Sequence, residues 1–318
     1  TGSTPNPERA AGPLASAPCA QPPYDPANIT NRVPALALAV LYRWYSFYET
    51  DDKDFDHQGE LLTDDFVMVR PREAGMPDSS GRHAYLESLR GAYAGQSNAH
   101  HLRGIEVSST GERTATATVN YDFQTHGPQL NGAALLRYDL ELVQDPAEHL
   151  PRLTRVAEQI LARQEAPFQA AYTNRARAFV HYWLSLLEQP ATDAEPLREL
   201  LADDVSMHLS DGRTLSAFGE IAAWYTTTVN QVDISTHRIS DFKITAEPGG
   251  DYHLTMDFAW QGVTRAGQPM TARTHHQWTL QETGEWYLRL LDFKVTTIEP
   301  FTETTAEQAL THHLDTSP

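Results

Sequence analysis

Leu61–Met68 reads LLTDDFVM, and Leu200–Met207 reads LLADDVSM, 139 positions later. Other pairs stand at nearly the same distance. Ala99–Val107 (AHHLRGIEV) is answered by Thr236–Ile244 (THRISDFKI), with His100 and His237 at 137 positions. Ala133–Val143 (AALLRYDLELV) is answered by Thr271–Gln281 (TARTHHQWTLQ) at 138. A near-constant offset implies a duplicated unit. The 318 residues suffice for two domains of about 100–200 residues each.

Working outward from Leu61, the same element order is expected twice. Ala35–Glu49 (ALALAVLYRWYSFYE) is apolar at most positions and predicts a helix buried on more than one side, with Pro34 in its first turn. An acidic break over Asp51–Asp56 leads to a short second helix. Phe66–Val69 predicts a strand and Gly81–Ala94 a third helix. Leu102–Ser108, Thr114–Gln124 and Ala133–Val143 alternate or are rich in β-branched residues, and predict strands. Leu153–Leu161 predicts a last strand merging into a linker helix near Glu158–Ala166. In the second half, Arg175–Glu188 predicts the first helix and Glu285–Ile298 the last strand. Residues 1–32 are rich in Pro and Ala and predict a disordered or draped arm. The expected domains are therefore 33–165 and 166–318, the second ending in a short tail.

Composition narrows the function. Acidic residues number 42 against 24 basic, a net charge of −18, so phosphate backbones are repelled and nucleic acid is not an expected partner. No apolar run of about 18 residues is present, so no membrane partner is expected. Cys19 stands alone, and no intramolecular disulfide can form. HExxH, GxSxG, GxGxxG and Walker sequences are absent. The chain begins at Thr1, so it is expected to lack its native N-terminus. A cytoplasmic location is the expectation, with secreted or periplasmic placement left open.

The helix ending Tyr48-Glu49-Thr50-Asp51, the acidic break at Asp51–Asp56, the LLTDDF step and the AHHLRGIEV strand resemble the nuclear-transport-factor-2-like superfamily, its SnoaL-like cyclases and scytalone-dehydratase-like enzymes above all. The resemblance implies an α+β fold: tandem cone-shaped domains, each three helices packed in a strongly curved antiparallel sheet. It also implies a pseudo-dimer within the chain, the two sheets facing each other, with further oligomerisation open. Function does not follow from fold.

By the same resemblance, Asp51 orients His100, and His126 lies on the neighbouring strand, one residue out of the family's spacing. A carboxylate on one imidazole nitrogen fixes the tautomer and makes the other more basic. Tyr45, Tyr48 or Tyr121 would hold a carbonyl oxygen or a water. The implied activity is a cofactor-free, metal-free lyase or isomerase acting on a small, largely apolar carbonyl substrate. The alternative is a non-catalytic module that binds a hydrophobic ligand or a partner. Plainer roles stand beside each residue: a helix cap for Asp51, a satisfied core histidine for His100, a turn residue for His126, core packing for the tyrosines. In the second half Pro190 falls where Asp51 would map, with Glu188 and Asp193 nearby but not clean matches. His237, Asp257, His275 and His276, with Tyr225, are the candidates there. No ligand spacing among the three histidines supports a metal site. A degenerate, structural copy is the expectation for this half.

Overall fold

The first long helix has almost no polar side. In α1 (Val33–Ser46), every residue but Ala35 is buried. A helix that is apolar all round needs cover on both flanks. One flank lies in its own sheet. The other meets α4 (Thr173–Glu188), the first helix of the second half, which is likewise buried along most of its length. The computed structural model of this chain describes residues 29, 31–49, 53–165, 173–246 and 250–304. The expected arm up to residue 28, Asp51, the junction at 166–172 and the tail from 305 lie outside the described residues.

After α1 comes a single 3₁₀ turn, Phe47–Glu49, and then α2 (Phe55–Glu60), capped by Asp54, whose carboxylate accepts from the Asp56 and His57 amides. There follow β1 (Leu62–Val69), β2 (Ser79–Ser80), α3 (Arg82–Tyr93), β3 (Ser97–Ser109), β4 (Thr114–His126), β5 (Gly132–Val143) and β6 (Arg152–Gln164). The second half repeats this after α4. A 3₁₀ segment, Glu195–Leu200, replaces the short second helix, with Pro196 at its start. Then come β7 (Leu201–His208), β8 (Thr214–Leu215), α5 (Phe218–Thr227), β9 (Val232–Ala246), β10 (Tyr252–Thr264), β11 (Pro269–Gln281) and β12 (Arg289–Glu303).

The two sheets have the same order, β2-β1-β6-β5-β4-β3 and β8-β7-β12-β11-β10-β9. All neighbours are antiparallel except β1–β6 and β7–β12. Register shifts at Leu102/Gly104 in β3 and at Thr255/Asp257 in β10 mark bulges, which bend a strand. Inward residues alternate, as in Ala115, Ala117, Val119 and Tyr121 of β4. Each concave face closes on a central tryptophan. Trp44 packs on Tyr85 and Phe66, and Trp183 packs on Phe179 and Trp278. The fold is α+β, two cone-shaped units in one chain.

Several expectations need correction. β6 runs on to Gln164, so no helix occupies Glu158–Ala162, where the linker helix was expected. β3 begins at Ser97, five residues early, so His100 lies within the strand instead of heading it. Glu285–Leu288 is a turn, not the start of β12, because Trp286 and Tyr287 fold back onto the first half. Asn31 and Arg32, the end of the expected arm, are docked: Asn31 Nδ2 donates to Ser109 Oγ at 2.7 Å, and Arg32 pairs with Glu188. The halves meet chiefly through α1 and α4, not through facing sheets. These helices run antiparallel. Arg32 at the start of α1 meets Glu188 at the end of α4, and Asn174 at the start of α4 meets Glu49 just after α1. Tyr42 stacks on His181 between them at 4.9 Å.

Candidate active site in the first cone

His100 sits on the inward face of β3, 5% exposed. Four rings surround it: Tyr45 and Tyr48 from the first helical segment, Tyr121 and Phe123 from β4, with centroids 5.3–5.4 Å away. Its Nδ1 has no hydrogen-bond partner. Burial pushes its pKa down to about 3, helped by His101 and Lys53, so the imidazole is neutral at ordinary pH. Asn98, two residues back on the same strand face, is fully buried with neither amide atom partnered. Deeper in the cone, Tyr48 and Tyr85 share a hydrogen bond of 2.9 Å, and the Tyr138 hydroxyl donates to Glu158 Oε2 at 3.2 Å. Burial raises the Glu158 carboxyl above its ordinary range. The concave face of the cone is thus lined with aromatic rings, with polar atoms among them. Buried polar atoms without partners are uncommon in folded proteins, and three on one strand face are a reason to look for a ligand.

The structure brings the rings of Tyr45, Tyr48, Tyr121 and His100 together. It does not bring in His126. In the β3–β4 ladder His100 stands opposite Phe123, and His126 stands opposite Ser97. Three residues along a strand reverse the side of the sheet, so the one-residue slip in spacing turns His126 to the other face, where it is exposed. Asp51, the expected partner of His100, lies outside the described residues.

A carboxylate missed in the sequence is Glu49. It is 5% exposed, and its Oε1 accepts from Asn174 Nδ2 at 2.5 Å, while Oε2 is unpartnered. Burial pushes its pKa up to about 8 against the opposing pull of Asn174 and Arg175. The same Asn174 amide donates to the His100 carbonyl at 2.8 Å. Helix α4 of the second half therefore braces the strand that carries the first half's histidine.

The second half has the carboxylate it was expected to lack. Glu188 Oε1 accepts from the His237 amide at 2.8 Å and from His237 Nδ1 at 3.1 Å, and Arg32 holds the other oxygen. Burial and Arg32 push the His237 pKa down to about 3. Glu188 follows Glu49 by 139 positions, the offset of LLTDDFVM and LLADDVSM, so the signal was present in the sequence. The other second-half candidates do not form one site. Asp257 and His275 face each other across β10 and β11 at 2.6 Å, on the outer face, with His275 37% exposed. His276 points inward, where Trp278 Nε1 donates to its Nδ1 and its Nε2 meets Thr274 Oγ1 at 2.9 Å. Both nitrogens are satisfied, so it is a core histidine. Tyr225 is committed to backbone, donating to the Leu186 carbonyl at 2.8 Å.

No protein-family model matches the chain, and no curated protein matches it in sequence. Among solved structures, a type 2 LinA hexachlorocyclohexane dehydrochlorinase is 8% identical with a TM-score of 0.37, covering 42% of this chain and 88% of its own. A ketosteroid isomerase-like protein from Erwinia carotovora atroseptica is 15% identical with a TM-score of 0.34, covering 44% and 99%. ActVI-ORFA from Streptomyces coelicolor is 14% identical with a TM-score of 0.34, covering 40% and 96%. Helices first, then a curved sheet closed by one parallel pair, recur in each half of the present chain, an α+β arrangement in two copies.

Proposed function

We propose that the first cone is the active site of a cofactor-free acid–base lyase or isomerase, working on a small, largely apolar carbonyl compound. The observation that carries this reading is His100 Nδ1: buried, unpartnered and ringed by three tyrosines and a phenylalanine. The neutral imidazole is the form that takes a proton. Nδ1 would remove a proton from the carbon beside the carbonyl, and a tyrosine O–H from Tyr45, Tyr48 or Tyr121 would donate to the enolate oxygen. Returning the proton to a different carbon completes an isomerisation. Passing it to a departing hydroxyl completes a dehydration, with water as the product. Asp51 remains the proposed group that orients His100.

The second reading, a binding module for an apolar ligand, is favoured by the pKa of about 3. An imidazole so reluctant to hold a proton serves well as a hydrogen-bond acceptor. One experiment separates the two. Small ketones and enones are incubated with the protein in D₂O, and the protons beside the carbonyl are followed by NMR. Catalysed exchange that disappears in His100→Ala supports the enzyme. Thermal stabilisation by the same compounds without exchange supports the binding module. Neither effect, with the fold intact, removes the first cone as a ligand site.

A further inference from the structure

Between the two halves, outside either cone, lies a cleft of about 280 Å³. Its wall includes Arg43 of α1, His57 of α2, Leu150 and Arg152 near the start of β6, and Trp286 and Tyr287 from the turn before β12. Arg43 is its unusual member. The side chain is buried, 7% exposed, and forms no ion pair or side-chain hydrogen bond among the described residues. Its guanidinium instead rests on the Tyr182 ring, 3.7 Å from the centroid, with the neighbouring Tyr287 ring 4.8 Å away. Stacking uses the flat faces of a guanidinium and leaves its N–H edge free to donate. Nη2 has no partner. The nearby carboxylates do not serve it. Glu148 is paired with Arg152, Asp54 holds His57 Nδ1 at 2.6 Å, and Glu60 is exposed. In a chain of net charge −18, a buried cation without an anion is a conspicuous gap.

Another part of the wall is flat and aromatic. The His57 and Trp286 rings stack at 5.3 Å, 9° from parallel, and Asp54 fixes the proton of His57 on Nδ1. Leu61, Leu150 and Pro151 supply apolar surface. The volume lies just below the range of about 300–1,000 Å³ typical of ligand sites, enough for a single ring with a short substituent.

We infer that this cleft binds a planar-ring monocarboxylate, its carboxylate taken by the free edge of Arg43 and its ring laid against Trp286 and His57. The site is distinct from the first cone and does not depend on the function proposed there.

Benzoate is the probe, and benzamide is its uncharged, nearly isosteric control. The full chain carries 6 tryptophans, so ¹⁹F-labelled tryptophan gives six resonances, and Trp286→Phe identifies the one from the cleft. Benzoate is expected to shift the Trp286 resonance saturably. Benzamide should bind weaker by about tenfold to a hundredfold, the change that follows loss of a charge-assisted hydrogen bond. Arg43→Met should lose benzoate to the same degree, and Arg43→Lys should lose most of it for want of a planar fork. His100→Ala should leave the Trp286 response unchanged, which keeps this test separate from that of the first cone. If Arg43→Met does not fold, the benzoate-to-benzamide ratio at Trp286 in the unaltered chain still decides. Equal binding of the two probes, or a benzoate response at Trp44 with none at Trp286, would overturn the inference.

Discussion

His100 and His237 stand on the same rung of their two sheets, opposite Phe123 and Trp260, yet they are held in different ways. His237 is locked: Glu188 takes both its amide and its Nδ1, and Arg32 neutralises the carboxylate. His100 is open, with Nδ1 facing tyrosines. The walls differ in the same sense. Where the first cone has Tyr45, Tyr48 and Tyr121, the corresponding positions of the second are Leu184, Leu187 and Phe258, and Tyr138 is replaced by the satisfied His276. One copy keeps hydroxyls inside and leaves an imidazole nitrogen unpaired. The other replaces those tyrosines and pairs Nδ1 of His237 and both nitrogens of His276. The backbone repeats, and side-chain chemistry carries the difference between the two cones.

The sharpest way to break this comparison is to delete each histidine in turn. If proton abstraction occurs in the first cone, His100→Ala should slow it by about 10²–10⁴-fold. His237→Ala should leave the rate near that of the unaltered chain while lowering stability. Equal rate losses would mean two working chambers. Next in size is the lock itself. Arg32→Met strands Glu188 as a buried, half-compensated charge and should lower unfolding stability by about 3–5 kcal/mol in urea titration. A change within the surface range of about ±0.5 kcal/mol would show that the pair is dispensable.

At the other end of the helix junction, Glu49 should show itself by pH. Glu49 has a folded pKa of about 8 against an ordinary value of 4.5, so the folded state holds a proton that the unfolded state has lost. Its contribution is therefore present below 4.5 and is lost as pH rises toward 8. Glu49→Gln should flatten that fall, measured as melting temperature against pH. The buried histidines act oppositely: folded pKa values of about 3 against 6.5 make stability drain away as pH falls through that window. A Glu49→Gln profile parallel to that of the unaltered chain would refute the assignment. The smallest effect belongs to Asp257→Asn. Its pair with His275 lies on the outer face, and the expected change is about 0.2–1 kcal/mol, with none in rate.

Much of this was legible in the chain. The LL-x-DD step, repeated at a fixed offset, is enough to predict two copies of one fold. The apolar character of Ala35–Glu49 already demanded cover on two sides. What it could not say is that α4 supplies the second cover, because an apolar flank carries no address. Tyr45, Tyr48, Tyr121 and His100 converge because strand alternation and helix spacing are local rules. His126 failed by one residue, the smallest error that reverses a side chain in a sheet. Glu49 was passed over for Asp51, although its match with Glu188 keeps the offset. The His57–Trp286 wall depends on a turn that packs against a helix more than two hundred residues earlier, and no local pattern announces such a meeting.

The antiparallel pairing of α1 with α4 has a consequence for biosynthesis. α1 ends at Ser46, and α4 is not complete until Glu188. At about 5–20 residues per second, a ribosome needs roughly 7–30 s to make the intervening chain. Throughout that interval the outer flank of α1 has no native cover, and the nascent first half presents an oily strip to whatever stands at the exit tunnel.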